Sequence, residues 1–353
     1  MVRQSTLNLN YGNSDKKKKL HEFITEYTRV VNFYIHILWS ENIFTGTFMS
    51  KKHLVVESWL SERAKQCAGK QALQIFKSQR KKKKKTEPIF SGKALELDSR
   101  FIDIQKGNNS FDIWVKLSSL GGKIILLLPT KKNYHFNKFT SWVMKKSARL
   151  RVRDDGELYL DLFFEKPSKK KEKAGESLGL DCGYKKLAVL SNGKVLGKDL
   201  EHLIKKISRK KQASKGFYRA LKQRNEYIDK ELKSLNLEDV KEIIVEDLKD
   251  VKKCSKGKIR KEFNNKLQRW VYRYFLTRLE QLCEVVGVQL HRVDPAYTSQ
   301  MCSACGSVHR SNRHGEIFKC KSCGYTTDAD YNASLNILNR YRLQEHMVPV
   351  QQN

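Results

Sequence analysis

The sequence predicts a multidomain α+β protein. Basic helices and a small β-barrel come first, followed by an α/β domain that carries an inserted four-cysteine zinc ribbon. Three observations predict this. The chain has 353 residues, enough for two or three domains at roughly 150 residues each. Its hydrophobic periodicity turns from helical to strand-like at Pro88, and from about residue 177 strands alternate with helices. Four of its eight cysteines cluster in two C-x-x-C pairs near the end.

The balance of 70 Lys+Arg against 38 Asp+Glu gives a net charge of +32. Such an excess repels itself in a compact fold unless a polyanion neutralises it, so nucleic acid or an anionic surface is the expected partner. With 39% hydrophobic and 10% aromatic residues, the chain is too apolar for a disordered basic tail. Five prolines and 19 glycines exclude collagen-like and linker-like sequences. No apolar run approaches the roughly 18 residues that span a bilayer, and the start Met-Val-Arg-Gln lacks the apolar core of a signal peptide. A cytoplasmic, nucleoid-associated protein of a prokaryotic-type cell, with no membrane partner, is the expectation.

Taken in order, residues 1–19 hold a short strand (Leu7, Leu9) that contributes the first strand of the barrel, then the run Lys16–Lys19. Residues 20–87 read as helical. Leu20, Phe23, Ile24, Tyr27, Val31, Tyr34 and Leu38 recur at spacings of three and four, and a second helical stretch covers about Val55 to Lys77. It ends in Arg80, Lys81, Lys82, Lys83, Lys84 and Lys85, which read either as a solvated run or as a phosphate-facing segment. Residues 88–166 read as the barrel, with strands at Ala94–Leu97, Phe101–Ile104, Phe111–Leu117, Ile124–Leu128, Ala148–Val152 and Leu158–Phe164. Turn residues such as Gly121-Gly122 and Asp154-Asp155-Gly156 lie between them. The charged stretch 167–176 is a linker.

The α/β domain opens with strands at Ser177–Asp181 and Leu187–Leu190. A basic helix over 199–235, a strand at Glu242–Glu246, an amphipathic helix over 262–286 and a strand at Val288–Val293 follow, so the domain's first part is 177–297. The insert is 298–326, the last helix 327–341, and 342–353 a tail.

Cys302, Cys305, Cys320 and Cys323 have the spacing of two zinc knuckles. Each C-x-x-C turns back so that both thiolates face one ion, and four thiolates close a tetrahedral structural Zn²⁺ site. Gly306 and Gly324 follow the second cysteine of each pair, where the backbone turns sharply. His309 and His314, inside the insert, read as surface side chains.

Three acidic residues sit beside apolar runs: Asp181 ends Leu178-Gly-Leu180, Glu246 ends Ile243-Ile244-Val245, and Asp330 opens a helix with Ala333, Ile337 and Leu338. Carboxylates converging at buried strand ends repel one another and are costly to desolvate. Two Mg²⁺ ions would resolve both problems and would suit phosphodiester hydrolysis. Strand-end acids also serve as caps or ion pairs, and spacing alone leaves both readings open.

The stretches GLDCGYKKLAVL (179–190), IIVEDL (243–248), DPAYTSQMCSACG (294–306) and FKCKSCGYTTDADYNASLNIL (318–338) resemble, in order and spacing, the split RuvC-type nuclease domain of the TnpB family. These are transposon-encoded RNA-guided endonucleases related to Fanzor proteins and to compact type V CRISPR effectors. The first half is similar more loosely: helices at 20–85 to the family's recognition lobe, FDIWVKL and GELYLDLFFEKP to its wedge barrel. The resemblance implies a RuvC/RNase H-like fold for the second half. It implies Asp181, Glu246 and Asp330 as catalytic ligands of two Mg²⁺, and a zinc ribbon, held by the four cysteines, that binds target nucleic acid. It implies a guide RNA, target double-stranded DNA and an RNA–DNA heteroduplex as partners, with the guide selecting the target beside a short adjacent motif. A compact CRISPR effector, a non-cleaving RNA-guided repressor and a strand-transferring transposase are the competing readings. The segment between Val195 and Glu242 is shorter than in typical members, which leaves surface for RNA or a second protomer to supply.

Overall fold

In this computed structural model β1 (Val2–Asn8) begins the chain, and Asn13 then caps α1 (Ser14–Ser40) by accepting from Lys16 N. The described residues are 1–41, 46, 49, 55–82, 86–107, 110–167, 175–248 and 271–347. Lys83, Lys84 and Lys85, the proposed linker residues 168–174 and the first part of the helix expected over 262–286 lie outside them. The chain divides into two units, Met1–Pro167 and Ser168–Asn353.

In the first unit α1 buries Phe23, Tyr27, Val31 and Tyr34 on one stripe, as its three-and-four spacing predicts. It starts before Leu20, because the Asn13 cap draws the lysine run into its first turns. α2 (Glu62–Arg80) starts later than about Val55, at Ser61, whose hydroxyl accepts from Ala64 N. Then come β2 (Ala94–Asp98), β3 (Ile102–Lys106), β4 (Ile113–Leu117), β5 (Leu126–Thr130), the short α3 (Tyr134–Lys138), β6 (Val143–Val152) and β7 (Leu158–Glu165).

These strands differ from the expected barrel. They form an open four-stranded sheet, β1-β7-β6-β2, and a separate three-stranded sheet, β3-β4-β5, and the described residues close no barrel. Gln71 of α2 donates to Ala94 O and accepts from Glu96 N, so a helix side chain satisfies backbone groups that a neighbouring strand would otherwise take.

The second unit begins with β8 (Glu176–Asp181), β9 (Ala188–Leu190) and β10 (Val195–Leu196). Two helices, α4 (Leu200–Ser208) and α5 (Lys215–Lys233), replace the single one expected over 199–235. Ser214 caps α5 through its hydroxyl and restarts the helix after the break. β11 (Val240–Glu246), α6 (Tyr272–Val286), β12 (Gln289–Val293), the ribbon strands β13 (Arg313–His314), β14 (Ile317–Lys319) and β15 (Thr326–Asp328), and α7 (Ala329–Met347) complete it.

The main sheet has the order β10-β9-β8-β11-β12, with β8, β11 and β12 parallel. Its two faces follow from strand alternation. Leu178, Leu180, Ile243 and Val245 pack in one core with residues of α4, α5 and α6. Ile244 packs on the opposite side with Ile337 and Leu338 of α7. Gly179 lets α7 reach β8: a Cβ there would lie 2.1 Å from Ser334 O. Among the described residues no helix is long and apolar enough to cross a membrane.

Candidate active site

The same alternation places the acids. On β8, Gly179 faces α7, so Asp181 two positions on faces it too; on β11, Ile244 faces α7, so Glu242 and Glu246 do as well. Val245 is paired with Leu180 in the parallel ladder, which sets Asp181 and Glu246 side by side at the carboxyl ends of adjacent strands, the customary ligand position in open α/β sheets. Asp330 lies in the first turn of α7, over that edge.

Charge shows how close the three are. Burial, then the Glu246 and Asp330 carboxylates, push the Asp181 carboxyl well above its ordinary value. Burial raises Glu246 as well, against a hydrogen bond from Thr298 that favours its ionised form. Arg313, from the cysteine insert, donates to Asp330 Oδ1 at 2.7 Å. Lys186, from the turn after Asp181, lies 2.7 Å from Asp328 and 3.9 Å from Asp330. Asp328 accepts from Asp330 N and Tyr331 N, both at 3.0 Å, and so caps α7. These bonds and Lys186 outweigh its burial and lower its carboxyl.

The cysteines form a tighter group. Among the described residues, Cys302, Cys305, Cys320 and Cys323 are the one set of three or more potential ligands whose ligand atoms all lie within 4.8 Å of one another. Cys302 and Cys323 Sγ are 3.7 Å apart, and Cys305 and Cys320 Sγ 3.6 Å. A Zn²⁺ with four Zn–S bonds near 2.3 Å requires S···S spacings of roughly 3.8 Å, so the donor set fits that ion. The Cys323 N–H lies 3.4 Å from Cys320 Sγ, an amide placed to favour the thiolate a metal needs. Gly306 and Gly324 adopt φ of 75° and 74°, a left-handed turn that brings such amides onto the sulfurs at no steric cost. Asn312, fully buried, joins the two knuckles by donating to Gln300 O and accepting from Lys321 N.

The carboxylate oxygens do not close to the cysteines' spacing. They do converge as an all-oxygen, like-charged set at the carboxyl edge of the sheet, and that chemistry fits a hard divalent cation. Of the basic run, Arg80 packs its guanidinium over Trp39, 4.5 Å from the ring centroid, and over Phe76. Lys81 and Lys82 are exposed. The reading of the sequence did not single out Arg313, Lys186, Thr298, Asn332 or Asn336. The two asparagines carry the one available signal, polar residues four apart on a helix that also carries Ala333, Ile337 and Leu338.

The chain is similar to known proteins over part of its length. Residues 272–337 match the family described as Cas12f1-like, TNB domain. The chain is 46% identical over 72 residues to the CRISPR-associated endodeoxyribonuclease Cas12f1 of Sulfoacidibacillus thermotolerans, covering 20% of this chain and 17% of that protein. It is 29% identical over 195 residues to the putative RNA-guided DNA endonuclease InsQ of Escherichia coli K12, covering 46% and 48%. The chain thus spans less than half the length of these curated relatives. A cryo-EM structure of a Cas12f1–sgRNA–target DNA complex superposes with a TM-score of 0.63 at 15% identity, over 93% of this chain and 84% of that one, which establishes a shared fold.

Proposed function

We propose that this chain, a relative of the TnpB-type proteins and of Cas12f1, is an RNA-guided DNA endonuclease that hydrolyses phosphodiester bonds at Asp181, Glu246 and Asp330. The observation that carries the reading is the convergence of Asp181 with two further carboxylates, Glu246 and Asp330, at the carboxyl edge of the sheet. A structural role for three mutually repelling acids would be destabilising, whereas metal-dependent phosphoryl chemistry needs them.

The three carboxylates would hold Mg²⁺, which when bound supplies charge for the attacking and leaving oxygens of an in-line displacement. Thr298 fixes one Glu246 oxygen through its hydroxyl and so aims the other into the site. Arg313 and Lys186 offset the charge of Asp330. Cys302, Cys305, Cys320 and Cys323 would hold one Zn²⁺; with four thiolates and no open position its part is structural, and it anchors the insert from which Arg313 reaches. The net charge of +32 suits a protein that grips a guide RNA and a heteroduplex by their backbones. The guide is the transcript of a transposon end on the TnpB reading. The Cas12f1-like match favours one second reading, in which the guide comes from a CRISPR array.

Sequencing the RNA that co-purifies with the protein tests this. One discrete species is expected, and replacing its variable segment should redirect DNA binding to a new target. Heterogeneous cellular RNA, with DNA binding indifferent to its sequence, would overturn the proposal.

A further inference from the structure

Two asparagines on α7 are fully buried, Asn332 and Asn336, both at 0% exposure. They are four residues apart and lie on one helix face. An amide is expensive to bury unless its hydrogen bonds are met, and apolar residues would fill the space without that cost. What the amides bond is therefore informative. Asn332 accepts from Ser303 N at 3.0 Å and donates to Met301 O at 2.8 Å. Asn336 donates to Met301 O at 2.6 Å and to Thr298 O at 2.8 Å, while its buried Oδ1 has no partner among the described residues. All four bonds go to the backbone of one short segment, 298–303.

That segment joins the two candidate metal sites. Its far end is the first knuckle, Cys302. Its near end is Thr298, 2% exposed, whose hydroxyl sits against Pro295 O and Glu246 Oε1. The helix that holds it opens with Asp330. Leucines at these two positions would pack but would not select one register of the segment along α7, whereas bonds to three particular residues do so.

We propose that Asn332 and Asn336 are positioning residues that lock segment 298–303 to α7, so that Thr298 orients Glu246 in a fixed relation to Asp330. They act on the carboxylate site through Thr298 and touch no reacting atom. The inference rests on the proposed reading of Asp181, Glu246 and Asp330 as the site of a divalent cation. It makes the cysteine insert part of the frame of that site as well as a nucleic-acid surface.

The test uses the full chain with its co-purified RNA. Mn²⁺ binding is followed by electron paramagnetic resonance, and cleavage rate is followed against Mg²⁺ concentration. Asn336→Leu should weaken Mn²⁺ binding and raise the Mg²⁺ midpoint about tenfold, the usual size of a lost outer-shell partner. Thr298→Val, which leaves the α7 bonds in place, should reproduce the shift, and Thr298→Ser, which keeps the hydroxyl, should not. A merely structural role would lower the melting temperature and the active fraction but leave the midpoint where it was. Unchanged Mn²⁺ binding and midpoint in both Asn336→Leu and Thr298→Val would overturn the inference alone. A wild-type protein that binds no Mn²⁺ at all would overturn the proposed function, and the inference with it.

Discussion

Asp328 and Asp330 stand two positions apart at the start of α7 and meet different partners. Asp328 accepts from the first free amides of the helix and pairs with Lys186, while Asp330 turns to Arg313 and toward Asp181. From Asp330, spacings of three, four, seven and eight reach Ala333, Ser334, Ile337 and Leu338, and from Asp328 spacings of four and eight reach Asn332 and Asn336, all buried, so the two acids are told apart by their hydrogen bonds and not by the burial of their faces. Asp328→Ala should cost roughly 1–2 kcal/mol, as a lost cap does, in thermal unfolding, and leave most of the cleavage intact. Glu242, on the same strand face as Glu246, was not legible in this way. It is 3% exposed, bonded by Ser177 and Tyr341 and approached by His291. Burial raises its carboxyl, but those bonds together with Lys241 and His291 lower it on balance below 4.5. A lowered carboxyl contributes stability that is fully present above its ordinary value and is lost as pH falls through the lowered one. Glu242→Gln should therefore destabilise the fold by about 1 kcal/mol near neutrality, and the difference from wild type should shrink on acidification below about pH 4.5. A deficit that stays constant across that range would show that ionisation plays no part.

Elements were legible where one physical signal dominated. The apolar stripe of α1, the runs around Asp181 and Glu246, and the paired C-x-x-C knuckles each declare one geometry. The failures have local causes. Ser61 and Ser214 set helix starts through single hydroxyls, which periodicity averaged over a window does not weigh. The strands divide into two sheets, and Gln71 bonds the β2 edge, a contact between residues far apart in sequence. The polar face of α7 is buried because its amides meet a backbone segment no pattern connects to it. One element contact bears directly on the site. The approach of α7 to β8 at Gly179 sets where Asp330 stands over Asp181, and a methyl there would meet Ser334 O and Leu338 N. Gly179→Ala should cost roughly 1–3 kcal/mol as overpacking and reduce cleavage more than its stability loss explains. Wild-type cleavage and melting temperature would show that the close approach is not required.

At the scale of the whole molecule, composition alone pointed to a polyanionic partner, and four separated stretches pointed to the family. The order of those stretches mattered most. Residues as distant as Asp181 and Asp330 come near one another because β8 and β11 are neighbouring strands and α7 packs across them, a relation invisible in spacing. The account's central claim is that these three carboxylates, with Mg²⁺, cut DNA chosen by a bound RNA. The most direct measurement is cleavage of a DNA matched to the co-purified RNA, with Mg²⁺ or with a chelator, by the wild-type chain and by Asp330→Ala. The account predicts cutting only by wild type with Mg²⁺, while Asp330→Ala still binds the matched DNA. Equal cutting by Asp330→Ala, or cutting that ignores the RNA sequence, would contradict it.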